Sequence, residues 1–409
     1  MVWKIFTPVT QIKMGKKVLM IGPGEQSIST SGLGKAASQI ASFLSKRIDL
    51  TLIQPKSLST HSSKKEIEHI STESFNELKV IKDMVKIEVS NTISPYWYSS
   101  EPLEVTSSSQ ENSIQKDLYR FSQEIEIIAM PEDFDIIYAH DWLTFPAAES
   151  LKKKTGKPLV LHVHSLDYDR SALRTDSWIF DLEKLAFQKA DKIITVSNYS
   201  KGIVNKVYGI PSKKIHVAHN GYESIEYPDP VSPFHERIVL FVGRLTGQKG
   251  PTQFLEIAEK VHEYYPDSRF IMAGAGDMYN GLVEAGATSS VAGKFHLTGY
   301  LTDEDLKKLY AMADIYCMPS VSEPFGLTAL EAADADIPTV ISKNSGASEV
   351  LEGAVTVDFH DTDAFAAEII ILLKNKELRE EKIKKNKKSL LGLSWEKTSE
   401  KVLEILEQV

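Results

Sequence analysis

Short β-branched runs alternate with helical patterns along most of the chain, and this alternation constrains the fold more than any single motif. The runs "KKVLMIG" at 16–22, "KPLVLHVH" at 157–164, "KIITVS" at 192–197, "RIVLFVG" at 237–243, "RFIMAG" at 269–274, "IYCMPS" at 315–320 and "PTVIS" at 338–342 are each one strand long. Strands separated by helices predict parallel sheets with crossover connections, hence an α/β architecture. Between 222 and 236, "YESIEYPDPVSPFHE" holds three prolines and no periodic pattern, and reads as a linker. Strand-helix units lie on both sides of it. Two Rossmann-like halves facing each other across a cleft are therefore expected, 1–221 and 237–393, and 409 residues are comfortable for two cores. Residues 394–409 read as an amphipathic helix with Trp395, Val402 and Leu406 toward one side.

Composition removes several classes of function. Hydrophobic residues make up 42% and charged residues 25%, and no apolar run reaches the ~18–20 residues of a membrane span. The first 17 residues break their apolar stretch with Pro8, Thr10 and Gln11 and lack a small-residue cleavage site, so a cytoplasmic protein is expected. A formal charge of -9 argues against nonspecific nucleic-acid binding, so an anionic ligand would be held by a few local cations. The single cysteine, Cys317, sits in an apolar run and reads as a buried structural thiol. Two serine-rich stretches, 57–74 and 90–113, break the alternation, and the second holds Tyr96, Trp97 and Tyr98. They read as a surface excursion, or as an acceptor platform in which aromatic faces suit sugar rings.

In an open α/β sheet, chemistry is sought in the loops after the strands. After 16–22 the chain runs through "GLG" into a helix, where Gly32 and Gly34 let backbone amides approach a phosphate; a plain tight turn explains them equally well. The stretch "FVGRLTGQKG" puts Arg244 directly after a strand and Lys249 before a helix, a fork and a compact charge suited to a diphosphate or simply to solvent. In "SEPFGLTALE" two carboxylates, Glu323 and Glu331, stand eight positions apart around a Pro-Phe-Gly corner that opens a helix. Amides near Phe325, Gly326 and Leu327 are then free. Glu331 lies too far in to cap the first turn, and a carboxylate is a good acceptor for vicinal hydroxyls. Histidines 162 and 164 share one strand face and His140 ends another strand in "IIYAHDWLTF". No HExxH or cysteine cluster accompanies them, and no metal is expected.

Taken in order, "GLG", "HDWLT", "LHVHSLDYDR", "TVSNYS", "HNGYE", "GRLTGQKG", "AGAGDM", "SVSEPFGLTALEA", "SGASEVL" and "LSWEK" resemble the retaining GT-B glycosyltransferases, specifically family 4, the glycosyl transferases group 1. The resemblance implies a GT-B fold whose terminal helix crosses back to the N-terminal half, and a metal-independent hexosyltransferase using a UDP-, ADP- or GDP-linked sugar. No permanently bound cofactor is implied. It makes Glu331 the ligand of the donor ribose, with Glu323, Phe325, Gly326 and Leu327 on the donor sugar. Arg244 and Lys249 face the diphosphate, His164 the 6-hydroxyl region, Gly32 and Gly34 the phosphates from the other half, and the turn around Gly276 the base. His140, Asp141, Trp142, Tyr96 and Trp97 are the acceptor-side candidates. Bacterial glycogen and starch synthases are also similar through "HDW" and "VHSL", but where they carry Lys-Thr-Gly-Gly-Leu this chain reads Ser29, Thr30, Ser31, Gly32, Leu33. The expected function is transfer of a hexose, glucose as first guess, to a saccharide or other hydroxyl acceptor. An α-glucan synthase, a GT-B phosphorylase or epimerase, and a noncatalytic sugar-binding protein are the alternatives, and a peripheral membrane contact is compatible with a lipid-linked acceptor.

Overall fold

The computed structural model describes residues 14–22, 32–55, 78–81, 84–89 and 108–409. Two sheets form. The first holds β1 (Met14–Ile21), β2 (Ile48–Pro55), β3 (Leu78–Ile81), β4 (Met84–Val89), β5 (Ile136–His140), β6 (Leu159–Val163), β7 (Lys192–Thr195) and β8 (Ile215–Val217), in the spatial order β3-β4-β2-β1-β5-β6-β7-β8. All neighbours pair in parallel except β3 with β4. The second holds β9 (Arg237–Val242), β10 (Ser268–Ala273), β11 (Phe295–Gly299), β12 (Ile315–Met318), β13 (Thr339–Ser342) and β14 (Val355–Val357), ordered β11-β10-β9-β12-β13-β14 and parallel throughout. That is the doubly wound order in which strand order reverses beside the first strand, here between β9 and β12. In the first sheet the reversal falls between β1 and β5.

Helices cover both faces of each sheet. They are α1 (Gly32–Leu44), α2 (Ser108–Ala129), α3 (Phe145–Thr155), the single turn α4 (Asp167–Arg170), α5 (Trp178–Lys189), α6 (Asn198–Lys206), α7 (Pro251–Tyr264), α8 (Tyr279–Thr288), α9 (Asp303–Met312), α10 (Leu327–Asp334), α11 (Thr362–Lys374), α12 (Lys376–Leu390) and α13 (Trp395–Glu407). Strand side chains alternate between faces. Leu19, Ile137 and Leu161 pack with α2, α3, α5 and α6, while Val18, Ile136 and Val160 pack with α1 and α13. The second sheet divides likewise, with Val239, Phe241 and Phe270 against α7 and α11, and Leu240, Ile271 and Ile341 against α9 and α10. Because both faces are covered, β5 and β6 are buried end to end and read as near-continuous apolar runs.

The terminal helix α13 opens at Ser394, whose hydroxyl accepts from Lys397 N, and buries Val402, Ile405 and Leu406 beside Ile40 and Leu44 of α1. Each such side chain contributes roughly 2 kcal/mol of apolar burial. The chain therefore crosses from the second half back to the first. At that crossing a Cβ on Gly221 would overlap the backbone of Trp395, and Thr398 Oγ1 donates to the His219 carbonyl at 2.7 Å. Residues 222–236 have no regular structure but are fastened to α10: Asp334 accepts from Tyr222 Oη at 3.1 Å, Ser224 Oγ at 2.8 Å and Ile225 N at 3.0 Å.

The stretch 90–113, expected as an irregular excursion, contains the start of a 22-residue helix at Ser108, because Ile114, Leu118, Phe121 and Ile125 recur at helical spacing and are buried. Most of the two serine-rich stretches, Tyr96 and Trp97 included, lies outside the described residues. Cys317 is fully buried in β12, and burial pushes its thiol up, as a structural cysteine requires. Among the described residues no helix is long and apolar enough to cross a membrane.

Candidate active site

A cavity of about 620 Å³ opens between the carboxyl ends of the two sheets. Gly32, Leu33, His164, Ser165 and Asn220 line it from the first half. The loops after β9, β10, β11 and β12 line it from the second, at the strand-order reversal.

Close backbone approach locks the second wall together. Gly274 has φ 148° and a Cβ there would overlap the Gly243 carbonyl, while Gly250, at φ 72°, would meet the Pro319 carbonyl. Leu245 N donates to Ala275 O at 2.9 Å, and Val321 N donates to Gln248 O at 2.9 Å. Three loops thus form one rigid cradle. On it, Lys249 Nζ lies 2.6 Å from Glu323 Oε2, a pair whose side chains are 19% and 7% exposed. Arg244 lines the same cavity.

The corner before α10 has a specific backbone cause. Gly326, at φ 99°, is crowded by Glu323 Cγ, Met318 Cε and Ala347 Cβ, so neither its conformation nor its surroundings admit a side chain readily. No side chain caps α10, so its first amides and the positive end of its dipole are left for a ligand at the cavity. Phe325, Gly326, Leu327 and Thr328 line the wall there. Glu331 lies one turn further along the same helix face, where it accepts from Tyr310 Oη at 3.0 Å and burial pushes its carboxyl up.

The first wall is built differently. The Asp141 carboxylate accepts from the backbone N–H of His164 at 2.7 Å, which fixes the loop after β6. Asp141 itself sits at φ 55°, and burial raises its carboxyl to about 7. Arg170 Nη1 donates to the Ser165 carbonyl at 2.9 Å while Nη2 meets Glu183 at 2.9 Å. Behind His164 stand His140 and His162, with the three rings stacked. Trp142 is buried edge-on to Trp178 at 5.7 Å.

Of the residues singled out from the sequence, the cavity gathers Gly32, His164, Arg244, Lys249, Glu323, Phe325, Gly326 and Leu327. Glu331 lies beside them. Gly34 and Gly276 do not line it, and Gly276 instead packs against the Leu245 carbonyl. His140, Asp141 and Trp142 are 1–2% exposed and stand behind the wall, as support for His164. Asp169 accepts from Leu166 N, and Asp167 accepts from Ser177 Oγ. Sequence reasoning missed Ser165, Gln248, Tyr300, Leu301 and Leu306. Tyr300, 69% exposed directly after β11, had a signal in its position after a strand.

Several hydrogen bonds join the two walls. Ser322 Oγ donates to Asp169 Oδ1 at 2.5 Å and lies 2.7 Å from Tyr199 Oη, and Ser197 Oγ donates to Pro324 O at 2.7 Å. Glu349 accepts from the amides of Asn198 and Tyr199 at the start of α6, at 2.9 and 2.7 Å, and lies 2.8 Å from His219 Nε2.

Comparison with known proteins agrees with this architecture. A family model described as "Glycosyl transferases group 1" matches residues 228–389, and one described as "Glycosyltransferase Family 4" matches 108–224. The uncharacterized glycosyltransferase MJ1607 of Methanocaldococcus jannaschii is 32% identical over 240 residues, 55% of this chain, and the chain spans 61% of that relative's length. Alpha-maltose-1-phosphate synthase of Mycolicibacterium smegmatis is 26% identical over 329 residues, 71% of this chain and 84% of the relative. Among solved structures, sucrose-phosphate synthase from Thermosynechococcus elongatus superposes with a TM-score of 0.71 at 18% identity, covering 96% of this chain and 98% of that one. An E. coli structure described as trehalose-6-phosphate bound with UDP-2-fluoro glucose gives 0.72 at 14% identity, covering 96% and 99%. These superpositions are evidence of fold.

Proposed function

The chain belongs to the glycosyl transferases group 1 family, with the GT-B architecture of two facing α/β halves, and on that premise we propose that it moves a hexosyl group from a nucleoside-diphosphate sugar to a hydroxyl acceptor. The observation that carries this reading is the convergence of Arg244, Lys249 and the uncapped start of α10 on one cavity at the strand-order reversal. Breaking a sugar-phosphate bond leaves positive charge on the sugar and negative charge on the departing diphosphate. Two fixed cations and a row of amides aimed at the latter stabilise that separation.

In this reading Arg244 and Lys249 hold the diphosphate, and the Gly32 amide meets it from the other half. Glu331 accepts from the ribose hydroxyls, a role that needs an ionised carboxyl in a place where burial favours the neutral form. Glu323, with Lys249 in salt-bridge contact, accepts from the donor sugar, and His164 faces its 6-hydroxyl region. Tyr300, exposed at the rim, offers a ring for the base to stack on. The reaction retains anomeric configuration, with the leaving phosphate helping to deprotonate the acceptor, and it proceeds without a metal on the diphosphate. A UDP-, ADP- or GDP-linked hexose donor, glucose first, a saccharide acceptor and a cytoplasmic location complete the reading. An α-glucan synthase is the second reading, favoured by 28% identity over 229 residues to a glycogen synthase of Mycobacterium tuberculosis.

The test is nucleoside diphosphate release from UDP-, ADP- and GDP-linked sugars, each with and without malto-oligosaccharide. Release from one donor that rises with the oligosaccharide supports the glucan reading. Slow release indifferent to the oligosaccharide supports transfer to another acceptor. No release from any donor overturns the transferase reading.

A further inference from the structure

Three histidines of the first half have no place in donor binding as a group, yet the fold brings them together. His140 on β5 lies opposite His162 on β6 in the parallel register, and the two-residue period puts His164 on the same side. Their rings stack, with centroids 4.2 Å apart for His162 and His164 and 5.2 Å for His140 and His164. All three side chains are at most 7% exposed, and among the described residues no carboxylate is hydrogen-bonded to any of the rings. One nitrogen of each ring, His140 Nε2, His162 Nε2 and His164 Nδ1, is buried with no partner. Leaving such atoms unpaired costs about 1–3 kcal/mol apiece.

We propose that His140, His162 and His164 form a binding site for a single borderline divalent cation of the zinc class. One ring nitrogen from each residue lies within 4.8 Å of the other two. His140 Nδ1 and His164 Nε2 are 3.0 Å apart and share one proton. An ion displaces that proton: at a zinc-nitrogen distance of ~2.0–2.1 Å, the edge of a tetrahedron is about 3.4 Å, close to the spacing already present. The unpartnered Nε2 of His162 then supplies the third ligand, drawn in by at most about 1.4 Å from the 4.8 Å limit of the group. Tyr138 Oη lies 2.6 Å from His162 Nδ1, and in the tautomer with the proton on Nδ1 it accepts that N–H and leaves Nε2 its lone pair, the supporting bond that ligating histidines ordinarily have.

The donor set decides the kind of ion. Three neutral imidazoles with no thiolate or carboxylate suit zinc, cobalt, nickel or copper and offer nothing to magnesium or calcium, which need oxygen. Access comes through His164, which lines the cavity. The ion is distinct from any counter-charge on the donor diphosphate, since Arg244 and Lys249 are on the opposite wall. Its occupation ties down the His164 ring from behind.

Equilibrium dialysis of the full chain against Co²⁺, with metal analysis and the visible absorption spectrum, tests this without reference to transferase activity. The expected result is one Co²⁺ per chain with the intense bands of a tetrahedral site. His162→Leu, at a position outside the proposed donor site, is expected to weaken affinity at least tenfold. Tyr138→Phe, which keeps all three rings, is expected to weaken it about tenfold and carries the test if His162→Leu does not fold. Absence of stoichiometric uptake overturns the proposal, as does uptake that a folded His162→Leu leaves unchanged. If His162→Leu does not fold, unchanged affinity in Tyr138→Phe overturns it.

Discussion

The two walls of the cavity are made of opposite materials. The wall from the second sheet carries formal charge, with Lys249 and Glu323 2.6 Å apart and Arg244 beside them on a backbone cradle that admits no side chains at Gly250 and Gly274. On the first wall three imidazoles lean on one another, the amides of His164 and Ser165 are tethered to Asp141, and the ion pair of Arg170 and Glu183 is set behind them rather than in the cavity lining. A charged wall grips a ligand that arrives charged, whereas a neutral polar wall can meet hydroxyls without attracting a competing ion pair. The second wall should therefore respond to loss of charge and the first to displacement of a ring.

Discharging the second wall has the largest expected effect. Lys249→Ala leaves Glu323 buried without its cation and is expected to lower stability by about 3 kcal/mol. Turnover should fall about 100- to 1,000-fold, because the diphosphate loses a fixed counter-charge. In Lys249→Gln with Glu323→Gln, urea unfolding should return to within about 1 kcal/mol of the parent while turnover stays low. If turnover recovers along with stability, the charge on this wall is structural only.

The seam between the walls offers a test by pH. Burial holds the Asp169 carboxyl at about 6 against an ordinary 3.8, even though Ser322 Oγ donates to it. The folded chain therefore keeps a proton over a range in which the unfolded chain has released it. Stability from this group is greatest below about pH 4, declines as pH rises to about 6 and is level above that. The unfolding free energy of the parent relative to Asp169→Asn should thus drop by about 2 kcal/mol between pH 4 and pH 7. A constant difference across that range would show that Asp169 titrates normally. A smaller effect belongs to the rim: Tyr300→Ala should raise the donor KM about tenfold, with kcat unchanged, if a base stacks there.

How much of this was legible in the chain follows from the range of the contacts involved. The strands at 16–22 and 237–243, the corner at Gly326 and the cations Arg244 and Lys249 are local patterns, and the structure gathers those cations with Glu323 at one cavity. The helix from Ser108 was obscured because its first turns are serine-rich, although Ile114, Leu118, Phe121 and Ile125 carry helical spacing. Asp141 and Trp142, expected on the acceptor side, are buried instead, and Asp141, at φ 55°, has its carboxylate on His164 N. The third histidine of the buried stack required knowing that β5 and β6 are neighbours in that register. Bonds such as Ser322 to Asp169 depend on how the halves dock, which no local pattern encodes.

Gly221 and Trp395 have a mechanical meaning. The chain passes between the halves twice, once on leaving the first sheet and once on returning through α13, and the two passages touch where a Cβ on Gly221 would overlap the Trp395 backbone. Two tethers set far apart would restrain the halves like a box lid on two hinges, but two tethers at one point act as a single pivot. Displacement about a pivot grows with distance from it, so a rotation of one half against the other would leave atoms near Gly221 almost in place while the far lip swept widest. For a given rotation, ligand contacts nearest the joint are the last to part.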